Sequence, residues 1–168
     1  DVYRLSKLGE GSKFVVTTPY VASSSDQSFE VAEASLKPLN THRILQGKYI
    51  GVIEDNPIIL DAYRQTLASE GAYVYVLSES EPELDAQLES INRIDCILSD
   101  YRLSQSTGDV LIQKIRESYN KEIPAIIVTA DTSPSHFNLF AKLNVQVLHK
   151  PISFQEVAQA IRKLVEVK

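Results

Sequence analysis

Short hydrophobic runs alternate with helical patterns five times along the chain from Lys48 onward. Each run has strand length and is rich in Ile, Val and Tyr, which favour β-strands. Between the runs, apolar residues recur at helical spacing, most clearly from Phe154 to Val165. The predicted strands are Tyr49–Ile53, Ala72–Leu77, Ile94–Leu98, Ala125–Val128 and Val145–Leu148. This alternation predicts a doubly wound α/β domain, with a parallel sheet covered by helices on both faces.

Two regions with different patterns precede this domain. Residues 1–20 contain two strand-like runs, Val2–Leu5 and Lys13–Thr18, joined by a glycine-containing turn, which predicts a β-hairpin. Because a lone hairpin is marginally stable, we interpret it as the remnant of another domain. Residues 21–46 are rich in Ser, Asp and Glu without a sustained period, as linkers are. The α/β domain is therefore predicted to occupy residues 47–168.

Composition narrows the classes of function. The 168 residues are 43% hydrophobic and 23% charged, as in ordinary globular proteins, and the net charge of -5 argues against a nucleic-acid partner. No apolar stretch approaches the roughly 20 residues that span a bilayer, so we expect no membrane contact by this segment. Cys96 is the single cysteine, which excludes an internal disulfide and fits a reducing, cytoplasmic setting.

Polar residues follow the predicted strands at the edge of the sheet where ligands bind in open α/β folds. Glu54 and Asp55 follow the first strand, Asp100 the third, Thr129 the fourth and Lys150 the fifth. Each residue alone is explained by ordinary loop chemistry. Together, they place three carboxylates, a hydroxyl and an amine in one crevice.

Crowded carboxylates repel one another unless a cation or protons offset their charge. Mg²⁺ fits because it accepts one or two carboxylates while keeping several waters. Asp55 and Asp100 are the expected direct ligands, and Glu54 is expected to act through water. A carboxylate beside such an ion can attack phosphorus and form an acyl phosphate. Lys150 and the Thr129 hydroxyl would then stabilise the charge that develops on the phosphoryl oxygens.

Residues 48–168 closely resemble the receiver domains of bacterial response regulators and hybrid sensor kinases. Four motifs carry the resemblance: Ile53-Glu54-Asp55-Asn56, Asp100 with Gly108 eight residues on, Val128-Thr129-Ala130 and Lys150-Pro151. The resemblance implies a flavodoxin-like (βα)5 fold with strand order 2-1-3-4-5. It also implies that Asp100 is the phosphoacceptor and that Asp55, Asp100 and the backbone carbonyl of Arg102 hold Mg²⁺.

The same resemblance implies roles for residues around the acceptor. Ala130 would leave room for the phosphodonor, Arg102 and Asp131 would tune the lifetime of the phosphate, and the bond before Pro151 would be cis. The chain departs from the family twice. Val147 stands where many members carry an aromatic switch residue, and Ser104 replaces a common proline, which predicts a looser loop after Asp100.

The amino-terminal hairpin has a resemblance of its own. Ser6, the motif Gly9-x-Gly11-Ser12-x-Phe14 and Pro19 are similar to the closing hairpin of the ATP-binding domain of histidine kinases. Followed by a linker and a receiver, this hairpin implies a hybrid sensor histidine kinase, an ATP-dependent phosphotransferase that could be an inner-membrane sensor. This segment alone would contribute receiver phosphotransfer and autodephosphorylation.

The partners implied are the histidine phosphodonor domain of the same chain and a histidine phosphotransfer protein. Two alternatives stay open: a stand-alone response regulator receiver, and a pseudo-receiver that keeps the fold as an interaction module without phosphorylation.

Overall fold

The structure is a computed structural model in which residues 2–7, 11–16, 43–131 and 133–166 are described. It divides into two compact units, one with a small hairpin and one with a larger sheet. Most of the predicted linker, residues 21–42, lies outside the described residues. Among those described, no helix is long and apolar enough to cross a bilayer.

The smaller unit contains the predicted hairpin. Strands β1 (Val2–Lys7) and β2 (Gly11–Val16) pair antiparallel, with Val2 opposite Val16 and Lys7 opposite Gly11. Both strands differ by two residues at an end from the predicted bounds, because the pairing includes Ser6 with Ser12 and Lys7 with Gly11. Thr17 and Thr18, predicted to extend the second strand, lie outside the described residues.

The larger unit contains a sheet of five parallel strands. The strands are β3 (Tyr49–Ile53), β4 (Tyr73–Val76), β5 (Cys96–Asp100), β6 (Ala125–Thr129) and β7 (Gln146–His149). The helices are α1 (Pro57–Ser69), α2 (Glu81–Ser90), α3 (Gly108–Tyr119), α4 (Pro134–Lys142) and α5 (Phe154–Glu166). The sheet order is β4-β3-β5-β6-β7, which is 2-1-3-4-5 counted from β3. The predicted flavodoxin-like fold is therefore confirmed.

The sheet separates two hydrophobic cores. On one face, Ile50, Leu98 and Ile126 pack with residues of α1 and α5. On the other face, the strands pack with residues of α2, α3 and α4. The central strands β3, β5 and β6 are buried almost throughout, whereas the edge strands β4 and β7 are partly exposed. Burial on both faces explains why the central strands are continuous apolar runs in the sequence.

Residues just before β3 also belong to this unit, although composition assigned residues up to 46 to the linker. Leu45 is fully buried, and its N–H donates to the carbonyl of Glu70 at 2.9 Å. The Gly47 N–H donates to the carbonyl of Gly71 at 3.0 Å. Gly71 has a φ of +91°, and a Cβ there would lie 3.0 Å from Cα of Gln46. The turn after α1 thus holds the entering chain against the domain.

Candidate functional site

The Asp100 carboxylate lies at the carboxyl end of the central strand β5. Its Oδ2 accepts from the Lys150 Nζ at 2.5 Å, and its Oδ1 accepts from the Arg102 N–H at 3.4 Å. The Asp100 side chain is 12% exposed and that of Lys150 is 31% exposed. The sequence separates these two residues by 50 positions, and the parallel sheet brings them into contact.

Glu54 and Asp55 follow β3, the neighbour of β5 in the sheet. Asp55 is exposed, whereas Glu54 is buried. Glu54 Oε1 accepts from the Asn56 N–H at 3.1 Å, while Oε2 is buried and has no hydrogen-bond partner among the described residues. Burial raises the pKa of Glu54, the Asn56 hydrogen bond opposes the shift, and the nearby charge of Asp100 adds to it. The site therefore contains a carboxylate oxygen that the described protein atoms leave unsatisfied.

Thr129 ends β6 and is buried. Its Oγ1 accepts from the Asp131 N–H at 3.0 Å, which leaves the hydroxyl proton free to be donated elsewhere. The Thr129 carbonyl accepts from the Lys150 N–H at 2.8 Å, a bond that fixes the end of β7 beside β6. The Lys150–Pro151 peptide bond is cis, as the resemblance implies.

Arg102 and Asp131 meet across the mouth of the site. Arg102 Nη2 donates to Asp131 Oδ2 at 2.8 Å, and Asp131 Oδ1 accepts from the Ser133 N–H at 2.8 Å. Ala130 is exposed between Thr129 and this pair. An open cavity of about 500 Å³ is lined by Asp100, Arg102, Thr129, Ala130, Asp131, Ser133 and Lys150. A phosphoryl group could therefore reach Asp100 from solvent.

The carboxylates fit Mg²⁺ better than a metal that needs a full protein cage. Within the described ranges, no three acidic, His or Cys side chains converge closely enough to surround an ion by themselves. Mg²⁺ does not require this, because it keeps several waters and takes one or two carboxylates. The unsatisfied Oε2 of Glu54 is suited to accept from such a water. Asp55 and Asp100 would supply the carboxylates.

Gly108, eight residues after Asp100, packs directly against the backbone of the acceptor. A Cβ at this position would collide with the backbone oxygen of Asp100 and would lie 2.6 Å from Ser99 Oγ. A side chain there would therefore displace the backbone that carries the acceptor. Asn56 acts locally as well, since its Oδ1 accepts from the Ile58 and Ile59 N–H groups at the start of α1.

The comparisons with known proteins agree with this geometry. The family model described as the response regulator receiver domain matches residues 50–162, more than half of the chain. The chain belongs to this family. Two curated relatives of this receiver domain are two-component response regulators of Arabidopsis thaliana. The one named ARR17 is 28% identical over 83 residues, which are 48% of this chain and 54% of that protein. The one named ARR16 is 26% identical over 83 residues, 48% of this chain and 51% of that protein. The chain spans about half the length of these relatives.

Solved receiver structures share the fold. The receiver domain protein (CheY-like) from Methanospirillum hungatei has a TM-score of 0.62 at 22% identity, with 71% of this chain and 94% of that chain covered. A receiver domain from Clostridium thermocellum gives 0.61 at 24% identity, covering 71% and 95%.

Two contacts near the site were not expected from the sequence. The Glu79 carboxylate, from the β4–α2 connection, accepts from Ser104 and Gln105 in the loop after Asp100. The buried ring of Tyr101 packs edge to face on Phe140 of α4, with ring centroids 5.1 Å apart. Neither contact follows from a motif, because each joins residues that are distant in sequence and common on surfaces or in cores.

Proposed function

We propose that this receiver domain takes a phosphoryl group from a kinase histidine onto Asp100 in a Mg²⁺-dependent reaction and passes it to a histidine phosphotransfer protein. The observation that carries the proposal is the Asp100–Lys150 contact beside the unsatisfied oxygen of Glu54. These groups lie at the end of the sheet where ligands bind in this class of fold.

The transfer requires a carboxylate oxygen that the donor can reach, as Asp100 is at the wall of the open cavity, and fixed partners for the phosphoryl charge. A carboxylate oxygen of Asp100 attacks phosphorus, the bond from phosphorus to the donor nitrogen breaks, and the electron pair remains on the imidazole. Lys150 holds Asp100 in place before the reaction and can then pair with a phosphoryl oxygen. The Thr129 hydroxyl can donate to another oxygen, because its own oxygen already accepts from the Asp131 N–H.

Asp55, Asp100 and the Arg102 carbonyl would hold Mg²⁺, and Glu54 would accept from one of its waters. The ion would offset the repulsion among the carboxylates and the negative charge on the transferred group. The raised pKa of the buried Glu54 supports this assignment, because it indicates that the ionised carboxylate lacks enough protein partners.

Exposed apolar side chains beside the site support a protein as the phosphodonor and acceptor. Ile58 lies in the first turn of α1, next to the acidic residues, and is 79% exposed. Phe154 begins the neighbouring helix α5, is 36% exposed, and packs edge to face on Tyr63 with centroids 5.0 Å apart. A helical partner that covers Ile58 and Phe154 would bring its histidine to the cavity at Asp100.

The experiment incubates the full 168-residue chain with Mg²⁺ and acetyl phosphate and measures the intact mass. We expect the gain of one phosphoryl group by the native protein and none by Asp100→Asn. Asp61→Asn is a matched control, because Asp61 is an exposed acid on α1 that bonds to Gln65. No gain by the native protein, as a pseudo-receiver would show, or an equal gain by Asp100→Asn would refute the proposal.

The hybrid-kinase context is a separate part of the proposal. It is supported by the β1–β2 hairpin together with its glycine motif, and we assign the receiver to the cytoplasm, where the buried thiol of Cys96 would stay reduced. Reading the gene upstream of the codon for Asp1 tests it. We expect a complete ATP-binding domain and a phosphorylatable histidine, and another kind of domain there would refute this part alone.

A further inference from the structure

The loop between β5 and α3 carries the backbone that the proposed function assigns to the metal. At its base, the Gly108 N–H donates to the Tyr101 carbonyl at 2.9 Å, and Arg102 and Thr107 form an isolated antiparallel bridge. These bonds close the loop but do not fix its tip at Ser104. A serine at this position also leaves the backbone φ angle free, which a proline would fix.

Glu79 holds the tip from outside the loop. Its Oε1 accepts from Ser104 Oγ at 2.6 Å and its Oε2 accepts from the Gln105 N–H at 3.1 Å. The Ser104 hydrogen bond lowers the pKa of Glu79, which indicates that the bond favours the ionised carboxylate. Both carboxylate oxygens of Glu79 therefore accept hydrogen bonds from the loop after Asp100. The looser loop expected from Ser104 in place of a proline does not include these two bonds.

The acidic neighbours of Glu79 have other partners. Glu83 accepts from Ser78 Oγ at 2.8 Å, and Glu81 pairs with Lys114 of α3 at 3.2 Å. The contact with the loop is thus a specific arrangement of Glu79 and does not reflect the general acidity of this connection.

We propose that Glu79 is a positioning residue that fixes the loop after Asp100, so that the Arg102 carbonyl is held ready for Mg²⁺. The inference rests on the proposed function. Arg102 is two residues from the tethered Ser104, and its N–H also bonds to Asp100 Oδ1. Movement of the loop at Ser104 would therefore displace both the Arg102 carbonyl and the Asp100 carboxylate. The two hydrogen bonds to Glu79 restrain this movement, which the backbone at Ser104 does not do by itself.

Isothermal titration calorimetry of the full chain with Mg²⁺ tests the inference. We expect Glu79→Ala to weaken Mg²⁺ binding by about tenfold, the size typical of a residue that supports a metal ligand. Ser104→Ala removes one of the two bonds without changing the charge and should weaken binding by a smaller factor. The double variant should bind no more weakly than Glu79→Ala, because the two changes break the same contact.

Glu83→Ala is the matched control for the loss of one negative charge and should bind Mg²⁺ like the native protein. Unfolding temperatures measured in EDTA should agree among all variants, since the tether is on the surface. Should Glu79→Ala fail to fold, the effect of Ser104→Ala decides. Native-like affinity in Glu79→Ala and Ser104→Ala, or equal losses in Glu83→Ala, would overturn the inference alone. Absence of Mg²⁺ binding by the native protein would overturn the proposed function, and the inference with it.

Discussion

The two ends of the sheet each bury a charged side chain, but they treat it differently. At the carboxyl end, Glu54 is 8% exposed, and one of its oxygens has no partner in the described part of the chain. At the opposite end, Arg116 of α3 is equally buried, but its guanidinium donates to the carbonyls of Ile123 and Leu143 and pairs with Glu122 at 2.8 Å. Protein groups satisfy the arginine, whereas no described residue bonds to one oxygen of the glutamate.

Burial disfavours the charged form of both side chains, Glu54 and Arg116. It raises the pKa of Glu54 and lowers the pKa of Arg116, because loss of water disfavours the charged form of each. The opposing contribution comes from the Asn56 N–H at Glu54 and from the charge of Glu122 at Arg116. The arginine is thus held by protein partners, whereas the glutamate is the group that the proposed function assigns to the metal site.

The largest effect on stability is expected at the end of the sheet that contains Arg116. Arg116→Met keeps a long side chain but leaves the carbonyls of Ile123 and Leu143 without their donor. We expect the free energy of unfolding to fall by about 3 kcal/mol, as when one partner of a buried ionic network is removed. Urea denaturation followed by circular dichroism measures this change.

The control for that variant is Glu122→Gln, because the Glu122 side chain is 63% exposed. Its cost should stay below about 1 kcal/mol, as for surface ion pairs. If Arg116→Met costs no more than Glu122→Gln, the guanidinium is not a structural element and the contrast between the two ends is wrong.

Glu54→Gln tests the carboxyl end of the sheet. It should raise the stability of the protein without Mg²⁺ and lower its affinity for Mg²⁺. Burial of the ionised Glu54 carboxylate lowers the free energy of unfolding, because its pKa is higher in the folded protein than in the unfolded chain. This cost is fully present above the pKa of Glu54 in the folded protein and absent below its pKa in the unfolded chain. The variant should therefore unfold at higher urea than the native protein at neutral pH without Mg²⁺, with a gain that shrinks on acidification. Its Mg²⁺ affinity should fall by about tenfold or more, as for residues that contact a metal through its ligands.

Calorimetry and urea denaturation give the two quantities for Glu54→Gln, and Asp61→Asn again controls for the lost charge. Native Mg²⁺ affinity in Glu54→Gln would remove Glu54 from the metal site. A loss of stability without Mg²⁺ would show that the carboxylate is already satisfied.

The smallest effect is expected for the ion pair across the mouth of the cavity. The Arg102 side chain is 76% exposed, so Arg102→Ala should change the free energy of unfolding by less than about 0.5 kcal/mol. Urea denaturation compares the change in the free energy of unfolding of Arg102→Ala with that of Arg116→Met. A loss as large as that of Arg116→Met would mean that exposure does not separate structural arginines from surface ones in this fold.

Much of the fold and of the convergence at the site could be predicted from the sequence. The central strands are apolar because both faces are buried, so their ends were predicted to within two residues, and with them Glu54, Asp100 and Thr129. Lys150 was placed in the same way after the edge strand β7. Parallel pairing then requires these residues to share one edge. The roles assigned to them stay predictions until the reaction is measured.

The long-range polar contacts could not be predicted. Arg116 looks like an ordinary charged residue on an amphipathic helix, and its burial depends on carbonyls from loops near Ile123 and Leu143. Glu79 likewise meets Ser104 through two connections that are adjacent only in the folded sheet. Such contacts depend on how the loops fold, and hydrophobic periodicity carries no information about loop geometry.

The most direct test of the central claim locates the phosphoryl group. The full chain is treated with acetyl phosphate and Mg²⁺, and borohydride then reduces the acyl phosphate to an alcohol, which converts a phosphorylated aspartate to homoserine. Peptide mass spectrometry reads the position. We predict homoserine at position 100 alone, and none when Mg²⁺ is removed with EDTA. Homoserine at position 55, or at no position, would contradict the assignment of Asp100 as the phosphoacceptor.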